Sequence, residues 1–200
     1  MGETQIRTDP AGNERLTAMT GAVLLVLFAA ECLTLLDLGN WLTLHVFLGM
    51  LLLGPVCLKI GATLWRFTRY YTGSAAYVRR GPPAPLQRVT GPFVILTTVA
   101  VLGSGIMLIV EGGGPGGWQW IQWHRMAFLV WAAVMLIHLA SYVPKLPRML
   151  SGRVGYARNL LAARATRWLL LCASLAAGLG LAFATYHLSG RWGGSGSLIP

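Results

Sequence analysis

Five times between Leu16 and Leu188 the chain runs through more than twenty residues that carry at most one formal charge. These stretches are Leu16–Leu36, Trp41–Trp65, Val89–Val110, Ile121–Val143 and Trp168–Leu188. A helix rises about 1.5 Å per residue, so each is long enough to cross a hydrocarbon core of roughly 30 Å. The predicted fold is all-α, an integral-membrane bundle of five transmembrane helices. Of the 200 residues, 55% are hydrophobic and only 11% are charged, too few charges for the polar exterior of a water-soluble domain. No linker divides the chain, and no polar segment is long enough to bury a core of its own. Residues 1–190 therefore read as one transmembrane helical domain, and residues 191–200, rich in glycine and serine, as a flexible tail. The longest polar stretch, Arg66 to Arg88 with its Gly-Pro-Pro-Ala-Pro, reads as a turn.

The net charge of +10 would suit nucleic acid if it were spread over one face, but it is not. Arg66, Arg69, Arg79, Arg80 and Arg88 lie between the second and third spans, and Lys145, Arg148, Arg153, Arg158, Arg164 and Arg167 between the fourth and fifth. The alternate connections hold Asp37, Glu111 and a run of glycines. By the positive-inside rule the N-terminus and both basic connections are cytoplasmic and the C-terminus is outside. The charge reports topology and contact with anionic lipid, not nucleic acid, and the expected location is a bacterial inner membrane, crossed several times. The first span is too long for a signal peptide, and its leader carries Glu3, Asp9 and Glu14, so it is expected to stay as a helix. Cys32, Cys57 and Cys172 all fall inside apolar spans and no C-x-x-C-H occurs, which supports neither a disulfide framework nor a covalently attached haem. Their expected role is packing.

The fourth span contains the segment HRMAFLVWAAVMLIH, with His124 and His138 at its ends. Fourteen helical steps fall about 40° short of four turns, so both imidazoles leave one face roughly 21 Å apart. The second span repeats the interval between His45 and Lys59. The second and fourth spans run in the same direction, so His45 is expected at the depth of His124, near the outer surface, and Lys59 at the depth of His138, in the inner half. A flat macrocycle between two helices needs one axial donor from each side at matched depth, and two such levels fit across one bilayer. Gly49, one turn from His45, would let a porphyrin edge come close, and Trp131 would lie between the two levels. Intramembrane ionisable groups mark functional sites by default. Glu31 in the first span is either a hydrogen-bonded acid or part of proton release at a quinol site. Arg125 is placed to meet haem propionates. His187, at the end of the fifth span, reads as an ordinary interfacial histidine, and the methionines read as filler.

His124-x13-His138 on one helix resembles the two-haem signature of membrane cytochromes b. The similarity is greatest to the small membrane subunits of formate dehydrogenase, uptake hydrogenase and related molybdopterin oxidoreductases. The resemblance covers the second to fourth spans. It implies two non-covalent haems b, with His124 a ligand of one, His138 a ligand of the other and His45 the partner of His124. It also implies electron transfer between quinone and a redox partner protein. Subunits of the formate-dehydrogenase type take one ligand from their first helix, whereas the first span here has no histidine, and Lys59 stands where a fourth ligand would be convenient. The chain has no flavin, nicotinamide or P-loop fingerprint and no room for a catalytic domain, so substrate chemistry would belong to a partner. The rival class is a small non-redox transporter or assembly factor with a polar His/Lys path. Broken helices or an internal repeat would favour it. Pro55 interrupts only the second span, and the two halves do not match.

Overall fold

The computed structural model describes residues 10–82, 85–114, 116–141 and 161–192, and among these every regular element is helical. The elements are α1 (Pro10–Thr34), α2 (Leu38–Tyr71), α3 (Ala75–Arg80), α4 (Pro85–Glu111), α5 (Gly117–Ala140) and α6 (Leu161–Thr185), closed by a 3₁₀ turn at Tyr186–Trp192. Among the described residues four helical stretches are long and apolar enough to cross a membrane: Gly12–Tyr71, which takes in both α1 and α2, Pro85–Glu111, Gly117–Ala140 and Ala165–Trp192. The chain divides into two compact units, Met1–Pro82 with Leu161–Pro200, and Pro83–Leu160. Lys145, Arg148, Arg153 and Arg158, on which half of the topological reading rests, lie outside the described residues, as do Glu3, Asp9 and residues 193–200.

In the first unit, α1 and α2 form a hairpin folded at Asp37. Its backbone (φ −149°, ψ 64°) leaves the helical region, and its carboxylate accepts from the Asn40 amide at 3.4 Å and from the Asn40 side chain at 2.8 Å. That contact caps the first turn of α2. Helix α2 outruns its apolar stretch at the other end, passing through Arg66 and Arg69 to Tyr71, because hydropathy marks the hydrocarbon and not the end of the hydrogen-bond ladder. The polar segment after it is therefore not a simple turn. Gly73 at φ 77° breaks α2, a short helix α3 buries Tyr77, and Gly81 at φ 80° ends α3. Positive φ at both breaks is a conformation that only glycine takes without strain. Glu14 of α1 accepts from Arg66 at 3.2 Å and Arg80 at 2.7 Å, tying the three helices together at this end.

Helix α6 crosses α2 at a point where backbone meets backbone. A Cβ on Gly54 would fall inside the Ser174 carbonyl oxygen, and one on Gly178 inside the Leu51 carbonyl oxygen. Lipid supplies no hydrophobic drive for helix association, so close approach through small residues is what holds such a pair. Phe47 packs edge-on against Phe183, with ring centroids 5.3 Å apart, and the Thr43 and Ser189 hydroxyls meet at 2.9 Å. Arg191 and Trp192, predicted to open the flexible tail, belong to the closing 3₁₀ turn. Cys32, Cys57 and Cys172, expected to serve packing, are exposed. In the second unit α4 and α5 form an antiparallel hairpin whose turn begins at Gly112 (φ 62°).

Replacing Gly54 or Gly178 with leucine is expected to separate α2 from α6 and cost on the order of 3 kcal/mol. Gly180→Leu, at a position with nothing within 4 Å of an added Cβ, is the control. Thermal unfolding in detergent should show a clear drop for the first two variants and almost none for the third.

Candidate functional site

The three histidines of the long apolar helices make the same contact. His45 Nδ1 lies 2.8 Å from the Thr34 hydroxyl, His124 Nδ1 3.0 Å from the Ser104 hydroxyl, and His138 Nδ1 3.0 Å from the Thr90 hydroxyl. Each hydroxyl also donates to a carbonyl of its own helix: Thr34 to Glu31 at 2.5 Å, Ser104 to Val101 at 3.0 Å and Thr90 to Leu86 at 2.9 Å. A hydroxyl has one proton. With that proton given to the carbonyl, the oxygen accepts from the ring, so Nδ1 carries the imidazole hydrogen and the lone pair is on Nε2. His124 also bonds the Val101 backbone, and Glu31 Oε1 stands 3.2 Å from His45 Nδ1 as a second acceptor. An imidazole that gives one N–H to a fixed oxygen is the form that binds a metal through its other nitrogen.

The fourteen-residue interval has a partner on the neighbouring helix. Thr90 and Ser104 are also fourteen apart, and the antiparallel hairpin sets them against His138 and His124. Between these two rungs the buried Trp131 donates its indole N–H to Thr98 at 3.0 Å. Thr90, Thr98 and Ser104 are all buried, so α4 presents a row of hydroxyls to α5. Gly105 completes the seat of His124, since a Cβ there would lie 3.3 Å from the ring.

The first unit repeats part of this ladder, the Thr34–His45 rung. Leu-x-x-x-Thr-Gly occurs at Leu16–Gly21 and again at Leu86–Gly91, and Thr34 and Ser104 follow at the same distance. Trp-x-x-x-His occurs at Trp41–His45 and at Trp120–His124. Thr20 donates to Leu16 at 2.8 Å as Thr90 donates to Leu86. The first helices correspond at an offset of 70 residues and the second helices at 79. The two hairpins therefore share these short motifs, although Phe28 and Leu52 stand where the second hairpin pairs Thr98 with Trp131. The repeat is hidden because the connection inside the second hairpin is nine residues longer, so no single offset aligns both helices. Thr34, Thr90, Ser104 and Thr20 were not among the predicted site residues, although the repeated Leu-x-x-x-Thr-Gly carries the signal for them.

Nearest its own turn the first hairpin has His45 and the second has His124, and fourteen residues further along each helix stand Lys59 and His138. The structure brings each of these together with an oxygen of its own hairpin. Lys59 Nζ donates to the Thr17 carbonyl of α1 at 2.6 Å, against Gly21, where a Cβ would lie 2.9 Å from the amine. The room beside Gly49, expected to admit a porphyrin edge, is met by the Glu31 carboxylate, 3.3 Å from where a Cβ would be. The other oxygen of Glu31 is buried without a hydrogen-bond partner. Arg125 is exposed beside His124, and His187 is exposed with its ring edge-on to Tyr186 at 6.1 Å. Among the described residues no three His, Cys, Asp or Glu side chains gather to hold a metal ion.

No protein-family model, curated protein or solved structure matches the chain. Thr90→Val keeps the shape of the side chain but removes the acceptor at His138, and should lower stability by about 1–3 kcal/mol. Thr90→Ser should stay close to the parent. Denaturant unfolding in micelles distinguishes the two.

Proposed function

We propose that the chain is a b-type cytochrome of a bacterial cell membrane, holding two non-covalent haems and passing electrons between the quinone pool and a redox partner protein. The observation that carries the reading is the shared contact of the three imidazoles. His45, His124 and His138 each meet a hydroxyl on the paired helix through Nδ1, and a ring protonated there binds a metal through Nε2. Haem iron, when bound, supplies a reversible one-electron couple. The chain's own part is to fix each ring, hold its tautomer and exclude water from the donor nitrogen. His45 and His124 serve the outer level, His138 serves the inner level roughly 21 Å away along α5, and Arg125 supplies a cation for a propionate. The positive-inside pattern sets the turn-proximal rungs on the outer side, with the N-terminus in the cytoplasm and the C-terminus outside.

The internal repeat is the one observation that favours the other class, since transporters are often built from repeats. Their sites sit at interrupted helices, whereas α1, α2, α4 and α5 each run unbroken through their rungs. The absorbance spectrum decides between the two. Purified protein reduced with dithionite should show b-type bands, and pyridine haemochrome analysis should give about two haems per chain. His45→Ala and His124→Ala should lose the same haem, and His138→Ala the other. Colourless protein from haem-replete cells would return the polar rungs to a transport or assembly role.

A further inference from the structure

Helices α1, α2 and α6 leave an open groove between them at the end of the first unit that carries Arg66. Its volume is about 330 Å³, within the roughly 300–1,000 Å³ of small-molecule sites, and its walls are apolar. It is lined by Leu16 of α1, Leu170 of α6 and a stripe of α2 on which Cys57, Gly61 and Trp65 recur at every fourth residue. From Cys57 to Trp65 the stripe runs about 12 Å along the helix. Gly61 gives the groove an open floor, since nothing stands within 4 Å of an added Cβ there. Asn13 donates its side-chain N–H to the Ala62 carbonyl at 3.0 Å and so pins α1 to α2 at the mouth.

The stripe continues one turn further to Arg69, whose guanidinium carbon lies 5.6 Å from the centre of the Trp65 ring. Among the described residues this guanidinium has no carboxylate partner, and its Nε is buried without a hydrogen bond. Glu14, the acid at this end, is already engaged by Arg66 and Arg80. A second cation stands beside the mouth. Arg167, one turn before Leu170 on α6, is buried, and its Nη1 lies 3.7 Å from where a Cβ on Gly12 would be, next to Asn13. Apolar walls alone select nothing in a bilayer, because lipid tails are as apolar as leucine. Guanidinium groups at the mouth do select, since they favour a ligand with anionic oxygens at the depth of the headgroups.

We infer that this groove is a binding site for one anionic phospholipid, with an acyl chain along Leu16, Gly61 and Leu170 and the phosphate at Arg69. Trp65 serves both ends of the ligand, because its ring borders the chain and supports the guanidinium. A zwitterionic phospholipid brings the same chain and phosphate, but it also brings an ammonium into a cluster of arginines, so the net charge of the headgroup decides the preference. The site lies within the first unit and is independent of the haem reading.

The test is native mass spectrometry of the full-length protein in detergent, titrated with phosphatidylglycerol, with phosphatidylcholine of the same chains, or with phosphatidylglycerol in the presence of inorganic phosphate. One phosphatidylglycerol should be retained at concentrations where phosphatidylcholine is not, and inorganic phosphate should not displace it. Arg69→Gln should weaken retention by about fivefold. Gly61→Leu, which fills the floor at a position with room for a side chain, should abolish it, and Arg79→Gln, an exposed arginine of α3 outside the groove, should bind like the parent. Equal retention of the two lipids overturns the inference, as does displacement by inorganic phosphate, which would make the arginines a site for a free anion. Retention that neither Arg69→Gln nor Gly61→Leu changes also overturns it.

Discussion

The two hairpins depend on one kind of bond, a side-chain N–H given to an oxygen on the paired helix inside a medium that offers no water. In hydrocarbon an unpaired polar group costs several kcal/mol, so each imidazole and the lysine must find an acceptor within the protein. Serine and threonine are suited to this role because they fold back on their own helix. The hydroxyl proton goes to a carbonyl three or four residues earlier, and the oxygen is left pointing outward with a lone pair. The direction of every rung follows from that choice. The ring nitrogen facing the hydroxyl becomes the donor, and the opposite nitrogen becomes the basic one.

The same bond explains why the interval is fourteen. Four helical turns bring a side chain back to nearly the same face, and in an antiparallel hairpin a hydroxyl pair and an imidazole pair at equal spacing meet rung by rung. Two copies of this device, one in each unit, account for Thr34 and His45, Ser104 and His124, and Thr90 and His138. The fourth rung shows what changes when the imidazole is replaced. Lys59 is longer and more flexible, so it passes the hydroxyl at position 20 and ends on a backbone carbonyl. Among the described residues helix α6 has no counterpart in the second unit. Its contact with α2 at Gly54 and Gly178 is made by backbone, which fixes α2 from the side opposite to its rungs only if both glycines remain.

Much of the fold was legible because hydropathy and length decide it. Apolar runs of twenty residues or more located the five long helices, with ends that differ by up to seven residues where the helices continue through charged residues, as at Arg66 and Arg69 of α2 and at Arg164 and Arg167 of α6. The short helix α3 was missed because a segment rich in arginine and proline reads as a turn, and only Gly73 and Gly81 mark its ends. His45, His124 and His138 stood out since ionisable groups are rare in such spans. Their acceptors did not, because threonine and serine are common in transmembrane helices and only the repeated Leu-x-x-x-Thr-Gly sets Thr20 and Thr90 apart. Periodicity along one helix also cannot tell which neighbour a face meets, so Gly49 was read as space for a macrocycle when Glu31 fills it. Glu31 itself was noticed, but its contact with His45 depends on the hairpin register, which Asp37 sets.

The central claim is that the three imidazoles are held with the proton on Nδ1, and this is observable without any cofactor. The haem-free chain labelled with nitrogen-15 histidine, with each ring assigned by single substitution, reports the protonated nitrogen directly. The account predicts that His45, His124 and His138 all show a pyrrole-type Nδ1 and a pyridine-type Nε2, while the exposed His187 averages between forms. Buried rings found with the proton on Nε2 would mean that the hydroxyls donate to Nδ1, and would contradict the assignment of these histidines as iron ligands.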